Sequence, residues 1–288
     1  MLSLWLARLA WVLLPVSAGG ALGDALASWS TSPARVAAVF LWSAWAIGLV
    51  ALLAPRPWGL TALRIVAPAA VVLTLASVTS TTTASAILAG STAIGAAVLA
   101  LSSSVAQTAA NSIAYGDEMR FPLRTPASLL VGPVPLAVVL IGAGACAGPL
   151  LLADGRVVAG VVVCALGLPV AFAMVRSLHS LARRFLVLVP AGVVVVDPLT
   201  LADPVLMRRE QIARIGQLRN GASPAGALDL RLGSRVGTIE LMLREPQSFA
   251  RRRGRRDAEL CEAGILLVAA ARAAAFVTTA GERRIATA

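Results

Sequence analysis

Residues 157–197 read VVAGVVVCALGLPVAFAMVRSLHSLARRFLVLVPAGVVVVD, and the chain changes character inside them. Positions 157–178 are almost wholly apolar, long enough for a helix to cross a bilayer, which takes about 20 residues. His179, Arg183 and Arg184 close that run. Phe185–Val189 and residues 193–196 then form two β-branched runs on either side of Pro190-Ala191-Gly192, the pattern of a hairpin. A membrane helix therefore leads into a strand-rich segment, and the boundary divides the chain into residues 1–180 and 181–288.

Upstream of the boundary the same apolar signal recurs. The 288 residues are 58% hydrophobic and only 14% charged, with a mean hydropathy of +0.83. Soluble domains carry about 25% charged residues, so a soluble enzyme, a disordered chain and a disulfide scaffold are all excluded. Six stretches reach spanning length: 4–23, 36–54, 59–79, 84–104, 128–152 and 157–178. Short polar separators divide them, among them Pro55-Arg56-Pro57, the threonines at 81–83 and Asp154-Gly155-Arg156; only 105–127 is a long loop. Ala25-Leu26-Ala27 has the composition of a signal-peptide cleavage site. No cation precedes the first apolar run and Arg8 interrupts it, so the segment is read as a retained helix.

All 25 basic residues are arginine, and their placement gives direction. With a cytoplasmic N-terminus, Arg56, Arg64, Arg120, Arg124, Arg176, Arg183 and Arg184 lie inside, with Arg8 near the inner face, and only Arg35 and Arg156 lie outside. That distribution obeys the positive-inside rule and places both termini in the cytoplasm of a multi-pass cell-membrane protein. Trp5, Trp29, Trp42 and Trp58 fall near span ends, where amphipathic rings belong. No Asp, Glu, Lys or His sits at a span centre, which argues against a pump or ion-coupled transporter. Ser91-x3-Gly95 and Gly144-x3-Gly148 offer small faces for close helix packing within the chain. Pro15, Pro68, Pro135 and Pro169 imply kinks.

The tail carries 17 arginines and 10 acidic residues in 108 positions, enough chain for one small domain. Beyond the hairpin, Val205–Arg208 and residues 212–218 are weaker strand candidates. Leu228, Leu230 and Leu232 alternate with Asp229 and Arg231, and Ile239, Leu241 and Leu243 with Glu240 and Met242; each reads as a strand with one solvated face. Residues 264–268 form another apolar run, and the alanine-rich segment 269–284 reads as a helix. About seven strands followed by one helix resembles a pleckstrin-homology-like roll, so the expected architecture is six transmembrane helices followed by a small α+β cytoplasmic domain. Residues 115–126 (YGDEMRFPLRTP) and 184–198 (RFLVLVPAGVVVVDP) are similar to segments of multi-pass membrane proteins from high-GC bacteria that carry such a domain, a resemblance that implies no activity. Lipid-binding members of the fold place cations around the first hairpin; here only Arg184 is near, so that property does not carry over.

Arg251, Arg252, Arg253, Arg255 and Arg256 form the strongest polar feature, read as a loop between strands. A polybasic segment near an anionic leaflet gains about 1 kcal/mol per arginine, so the expected ligand is an anionic lipid headgroup, with plain solvation as the competing reading. Phe249 is the only aromatic nearby, which disfavours nucleic acid. Tyr115, Asp117, Glu118, Arg120, Phe121 and Arg124 read as a charged surface network, since no nucleophile or metal set accompanies them. Asp197-Pro198 and Asp203-Pro204 read as turn initiators. His179 alone, and the scattered Cys146, Cys164 and Cys261, make no zinc site. No catalytic residue, cofactor or metal is expected. The function these features favour is a non-catalytic, membrane-anchored interaction or scaffolding module with the bilayer and a protein as partners. The alternative is a transporter or channel component for an uncharged or lipid-like solute, using Ser85, Ser91, Thr92, Ser102, Ser103 and Ser104.

Overall fold

The computed structural model describes residues 2–78, 83–218, 223–254 and 257–287. It divides into two compact units, Met1–Ala109 with Val134–His179, and Ala110–Pro133 with Ser180–Ala288. The first unit is helical: α1 (Leu2–Ala27), α2 (Thr31–Leu53), α3 (Pro57–Ser77), α4 (Thr83–Ala100) and α5 (Ser103–Asn111), then α7 (Pro133–Ala153) and α8 (Val157–Ala182). A short helix, α6 (Ala127–Val131), precedes α7. Five of these segments are long and apolar enough to cross a membrane, six if α4 and α5, bent by 44°, count as one.

One expected span, 84–104, is bent at a break, whereas 128–152 lies within the span-length run Ala127–Ala153. The helix over 84–104 stops at Ala100, where the chain turns with Leu101 N–H still donating to the Ala97 carbonyl (2.9 Å) and Ser102 N–H to that of Leu99 (3.2 Å); the Ser102 and Ser104 hydroxyls share a hydrogen bond of 3.0 Å. The helix over 128–152 is interrupted at Gly132 and restarts with Pro133 as its first residue, a position that needs no N–H. Pro135 thus lies in the first turn of α7, where it causes no kink.

Alanine decides which face of α4 is buried. Ala93, Ala96, Ala97 and Ala100 join Ala7, Trp11, Leu14, Leu52 and Leu63 in one core, their short side chains letting the helices approach closely. The expected Ser91–Gly95 face is not the packing face: Ser91 is exposed and nothing stands near Gly95. Gly144 and Gly148 do pack within the chain. A Cβ at Gly167 of α8 would lie 2.9 Å from the Cα of Gly144, and one at Gly148 would overlap Cys164. Between α1 and α2, Trp11 Nε1 donates to the carbonyl of Trp45 (2.9 Å) and Trp45 Nε1 to that of Trp11 (3.0 Å). Gly48 leaves the slot that the Trp11 indole fills. Arg8 donates to the carbonyls of Leu52 and Leu53, satisfying orphan acceptors at the end of α2.

Among the described residues the second unit holds eight strands, one more than the sequence pattern suggests. β1 (Met119–Pro122), β2 (Phe185–Val189), β3 (Gly192–Val196) and β4 (Val205–Arg208) form an antiparallel sheet in sequence order. β5 (Ile212–Gln217), β6 (Leu228–Asp229), β7 (Thr238–Arg253) and β8 (Asp257–Ala269) form the second, in the order β5-β7-β8-β6, with β6 parallel to β8. The helix α9 (Ala273–Glu282) follows. It is shorter than 269–284 because Ala269 and Ala270 still pair with Thr238 and Gly237.

The extra strand comes from the 105–127 segment, which the sequence reads as a loop. Asn111 holds it in place: its Oδ1 accepts the Arg120 N–H (2.9 Å) and its Nδ2 donates to the Arg120 carbonyl (3.0 Å), so a side chain mimics a strand neighbour. Phe121 pairs with Leu186 and buries its ring edge-on against Phe276 of α9, centroids 5.2 Å apart. β2 and β3 are buried on both faces, as their uninterrupted β-branched runs require. Leu186, Leu188, Val193 and Val195 enter the main core, while Phe185 and Val187 pack with Ala110 on the other side. Gly192 is required at the hairpin exit because a Cβ there would overlap the Met207 carbonyl of β4.

Candidate functional site

The hairpin register that pairs Phe185 with Val196 sets the next residues out, Arg184 and Asp197, opposite each other. Both are buried, at 2% exposure each. The guanidinium grips the carboxylate with two bonds, Nε to Oδ1 at 2.8 Å and Nη2 to Oδ2 at 2.7 Å. Its remaining donors reach the carbonyls of Arg124 (3.1 Å) and Leu230 (3.4 Å). Asp197 also accepts the Leu199 N–H at 3.1 Å, the turn expected of an Asp-Pro pair. One ion pair thus ties β2, β3 and the segments at 124 and 230 together. It is fully hydrogen-bonded, the condition for a buried pair to persist, and leaves no reactive atom for chemistry.

Two further ion pairs overturn an expectation. The alternating pattern assigns Arg231 and Glu240 to solvated strand faces, yet each is only 4% exposed. Arg231 meets Asp229 through Nε–Oδ1 (2.9 Å) and Nη2–Oδ2 (2.7 Å), and Glu240 accepts from Arg214 at 2.9 Å. The Arg231 guanidinium holds the Asp229 carboxyl below its usual range, with a smaller contribution from Arg251, and Asp229 in turn raises Arg231. β6 ends at Asp229, and Leu232, expected to extend the alternation, turns out of it with a φ of +54°.

The arginine segment is not a loop over its first half. Arg251, Arg252 and Arg253 are the last residues of β7, paired with Glu259, Ala258 and Asp257 of β8. Gly254 turns the chain at a φ of +91°, and Arg255 and Arg256 lie outside the described residues. Arg251 and Arg253 are exposed, and Arg253 is bridged to Glu259 at 2.6 Å. At the base of this arm the segment 200–202 runs beside β7: Arg252 N–H donates to Thr200 (2.8 Å) and Ala202 N–H to Ala250 (2.9 Å). A pocket of about 300 Å³ opens there, lined by Thr200, Asp229, Leu232, Gly233, Arg251 and Arg252. The Thr200 hydroxyl is buried with no hydrogen-bond partner.

Other expected positions are dispersed. Glu118 and Arg120 form an ion pair at 3.0 Å that braces the start of β1. His179 Nδ1 lies 3.0 Å from the Thr61 hydroxyl of α3, tying α8 to it. Cys146, Cys164 and Cys261 are free thiols. Among the described residues no three His, Cys, Asp or Glu side chains gather as metal ligands. In the helical unit an apolar cleft of about 390 Å³ runs between α1, α2 and α3, bordered by Trp11, Leu14, Trp42, Trp45, Val66 and Leu73. Ser91 and Thr92 of α4 do not line it, and their hydroxyls donate back to the Leu88 carbonyl.

No known protein family matches the chain, and neither a curated protein nor a solved structure matches it.

Proposed function

We propose that this chain is a multi-pass cell-membrane protein, both termini cytoplasmic, whose strand-rich unit is a non-catalytic interaction module that meets anionic surfaces through the arginine end of its β7–β8 hairpin. The observation that carries the reading is the exposure of Arg251 and Arg253 on a two-stranded arm, with Arg255 and Arg256 following in sequence. The unit reads as a pleckstrin-homology-like roll: a four-stranded meander, a second sheet, then a helix that seats Phe276 in the core. Its first strand is supplied from between the helices, which marks a departure from a simple tail.

That shared sheet also supports the orientation. β1 and β2 pair, which supports a scheme in which residues 119–122 and 185–189 share one side of the bilayer and α7 and α8 cross it out and back. On this scheme, with the inner side set by the arginine distribution, reporter fusions after Gly155 should read outside, and fusions after Arg124 and after the C-terminus inside; a cytoplasmic signal at Gly155 would break the scheme.

The interaction itself is tested on the full chain in nanodiscs. With phosphatidylglycerol discs, amide exchange over residues 249–261 should slow relative to phosphatidylcholine discs, and the difference should shrink in high salt. Replacing Arg251, Arg252, Arg253, Arg255 and Arg256 with Gln should erase it. Equal exchange in both lipids for the unaltered protein would refute the reading. The second reading, handling of an uncharged or lipid-like solute, draws support from one feature, the apolar cleft between α1, α2 and α3.

A further inference from the structure

The pocket beside the arginine arm has features that a solvated strand end does not need. Two guanidinium-bearing residues, Arg251 and Arg252, border a space of about 300 Å³, room for an oxyanion together with the group it esterifies. Among the described residues Arg251 makes no ion pair within 4 Å, while Arg253, two residues on, is already neutralised by Glu259. Thr200, 6% exposed, lines the same space and keeps its hydroxyl oxygen without a partner. A buried orphan hydroxyl is costly, and a change of χ1 rotamer moves Oγ1 to another staggered position, from which it can take up a partner. The rim is strained: Leu232 holds a φ of +54°, a conformation that costs a branched residue free energy and that clusters at ligand sites. Asp229 completes the lining. Its charge is already balanced by the bidentate Arg231, yet its oxygens retain lone pairs able to accept from a hydroxyl or an ammonium.

We propose that this pocket binds a phosphate ester that carries a neighbouring hydroxyl or ammonium group, the phosphate taken by Arg251, Arg252 and the Thr200 hydroxyl and the donor by Asp229. Paired guanidiniums suit an oxyanion with three or more acceptor oxygens, and a second carboxylate would find Asp229 beside it. The chemistry fits both a phospholipid headgroup and a soluble phosphate ester. The proposal rests on the reading of the arm as anion-facing and sharpens it from a diffuse attraction to a saturable site.

The test is calorimetric titration of the full chain in detergent micelles with glycerol 1-phosphate, inorganic phosphate and dihexanoyl-phosphatidylglycerol, with glycerol as the blank. Saturable binding of at least one phosphate probe is expected. Arg251→Gln should weaken it roughly tenfold or more, and Thr200→Val by about threefold to tenfold. Thr200→Val should also leave the ligand-free melting temperature unchanged or raised, because it replaces an unpartnered hydroxyl with a methyl of the same shape. Arg253→Gln, at the paired position, should stay within about twofold of the unaltered protein. A lipid that binds at least about tenfold tighter than glycerol 1-phosphate, and is displaced by it, assigns the site to a headgroup; equal affinities assign it to a soluble ester. No saturable binding of any phosphate probe, or equal losses for Arg251→Gln and Arg253→Gln, would overturn the site. Slowed exchange in anionic nanodiscs would survive that outcome, so the two readings fail separately.

Discussion

Expressed alone, residues 181–288 will show no cooperative thermal transition by circular dichroism, whereas residues 110–126 joined to 180–288 by a flexible Gly-Ser linker will melt as one domain. The reason is β1. Phe121 is 3% exposed, pairs with Leu186 and stacks edge-on against Phe276, and loss of one such buried ring costs about 3–5 kcal/mol. Its neighbour Leu123, 5% exposed, donates its N–H to the Arg184 carbonyl at 3.0 Å and would be lost with it. Removing β1 also leaves the apolar strand β2 as a bare sheet edge, a template for aggregation. A small domain is stable by only about 5–15 kcal/mol, so these losses together exhaust its margin. The linker is feasible because Leu123 already lies beside Arg184. Equal melting temperatures for the two proteins would show that β1 is dispensable.

The second large effect lies at Arg184 and Asp197. Arg184→Ala or Asp197→Ala alone should destabilise the linked unit by about 3–5 kcal/mol in chemical denaturation, since each strands its partner's charge inside the fold. The paired replacement Arg184→Met with Asp197→Leu should recover most of that loss, because removing both charges removes the desolvation cost. The contrast between single and double variants distinguishes a buried pair from an ordinary packing contact. A single substitution costing less than about 1 kcal/mol would contradict the burial seen for both side chains.

This pair was legible in principle. The run at 185–189, the turn and the run at 193–196 define a hairpin register, and the residue preceding one arm must face the residue following the other. Taken one at a time, Arg184 is a lone cation near the hairpin and Asp197 a turn former, and only the register joins them. The Trp11–Trp45 pair is different: both indoles sit inside apolar runs, where nothing in the local pattern separates a core tryptophan from a lipid-facing one. The arginine segment was recognised by its charge, and the pocket beside it was not. Its walls come from positions 200, 229–233 and 251–252, which are joined only when the chain folds.

What the sequence determined by itself are the features whose cause is local. The long apolar helices follow from span length, the β2–β3 hairpin from two β-branched runs around a proline-glycine turn, and β4 and β5 from short apolar segments at the expected places. Tertiary structure alone decided the rest. Met119–Pro122 is too short to show a period, and it is a strand because Asn111 and β2 satisfy its backbone and Phe121 finds the core. Residues 251–253 carry no apolar alternation, and they are extended because the β8 ladder continues beside them. Arg231 and Glu240 occupy positions that alternation assigns to solvent, and they are buried because Asp229 and Arg214 stand ready to pair with them. Periodicity records which residues avoid water, but it cannot record which charges will find a partner inside.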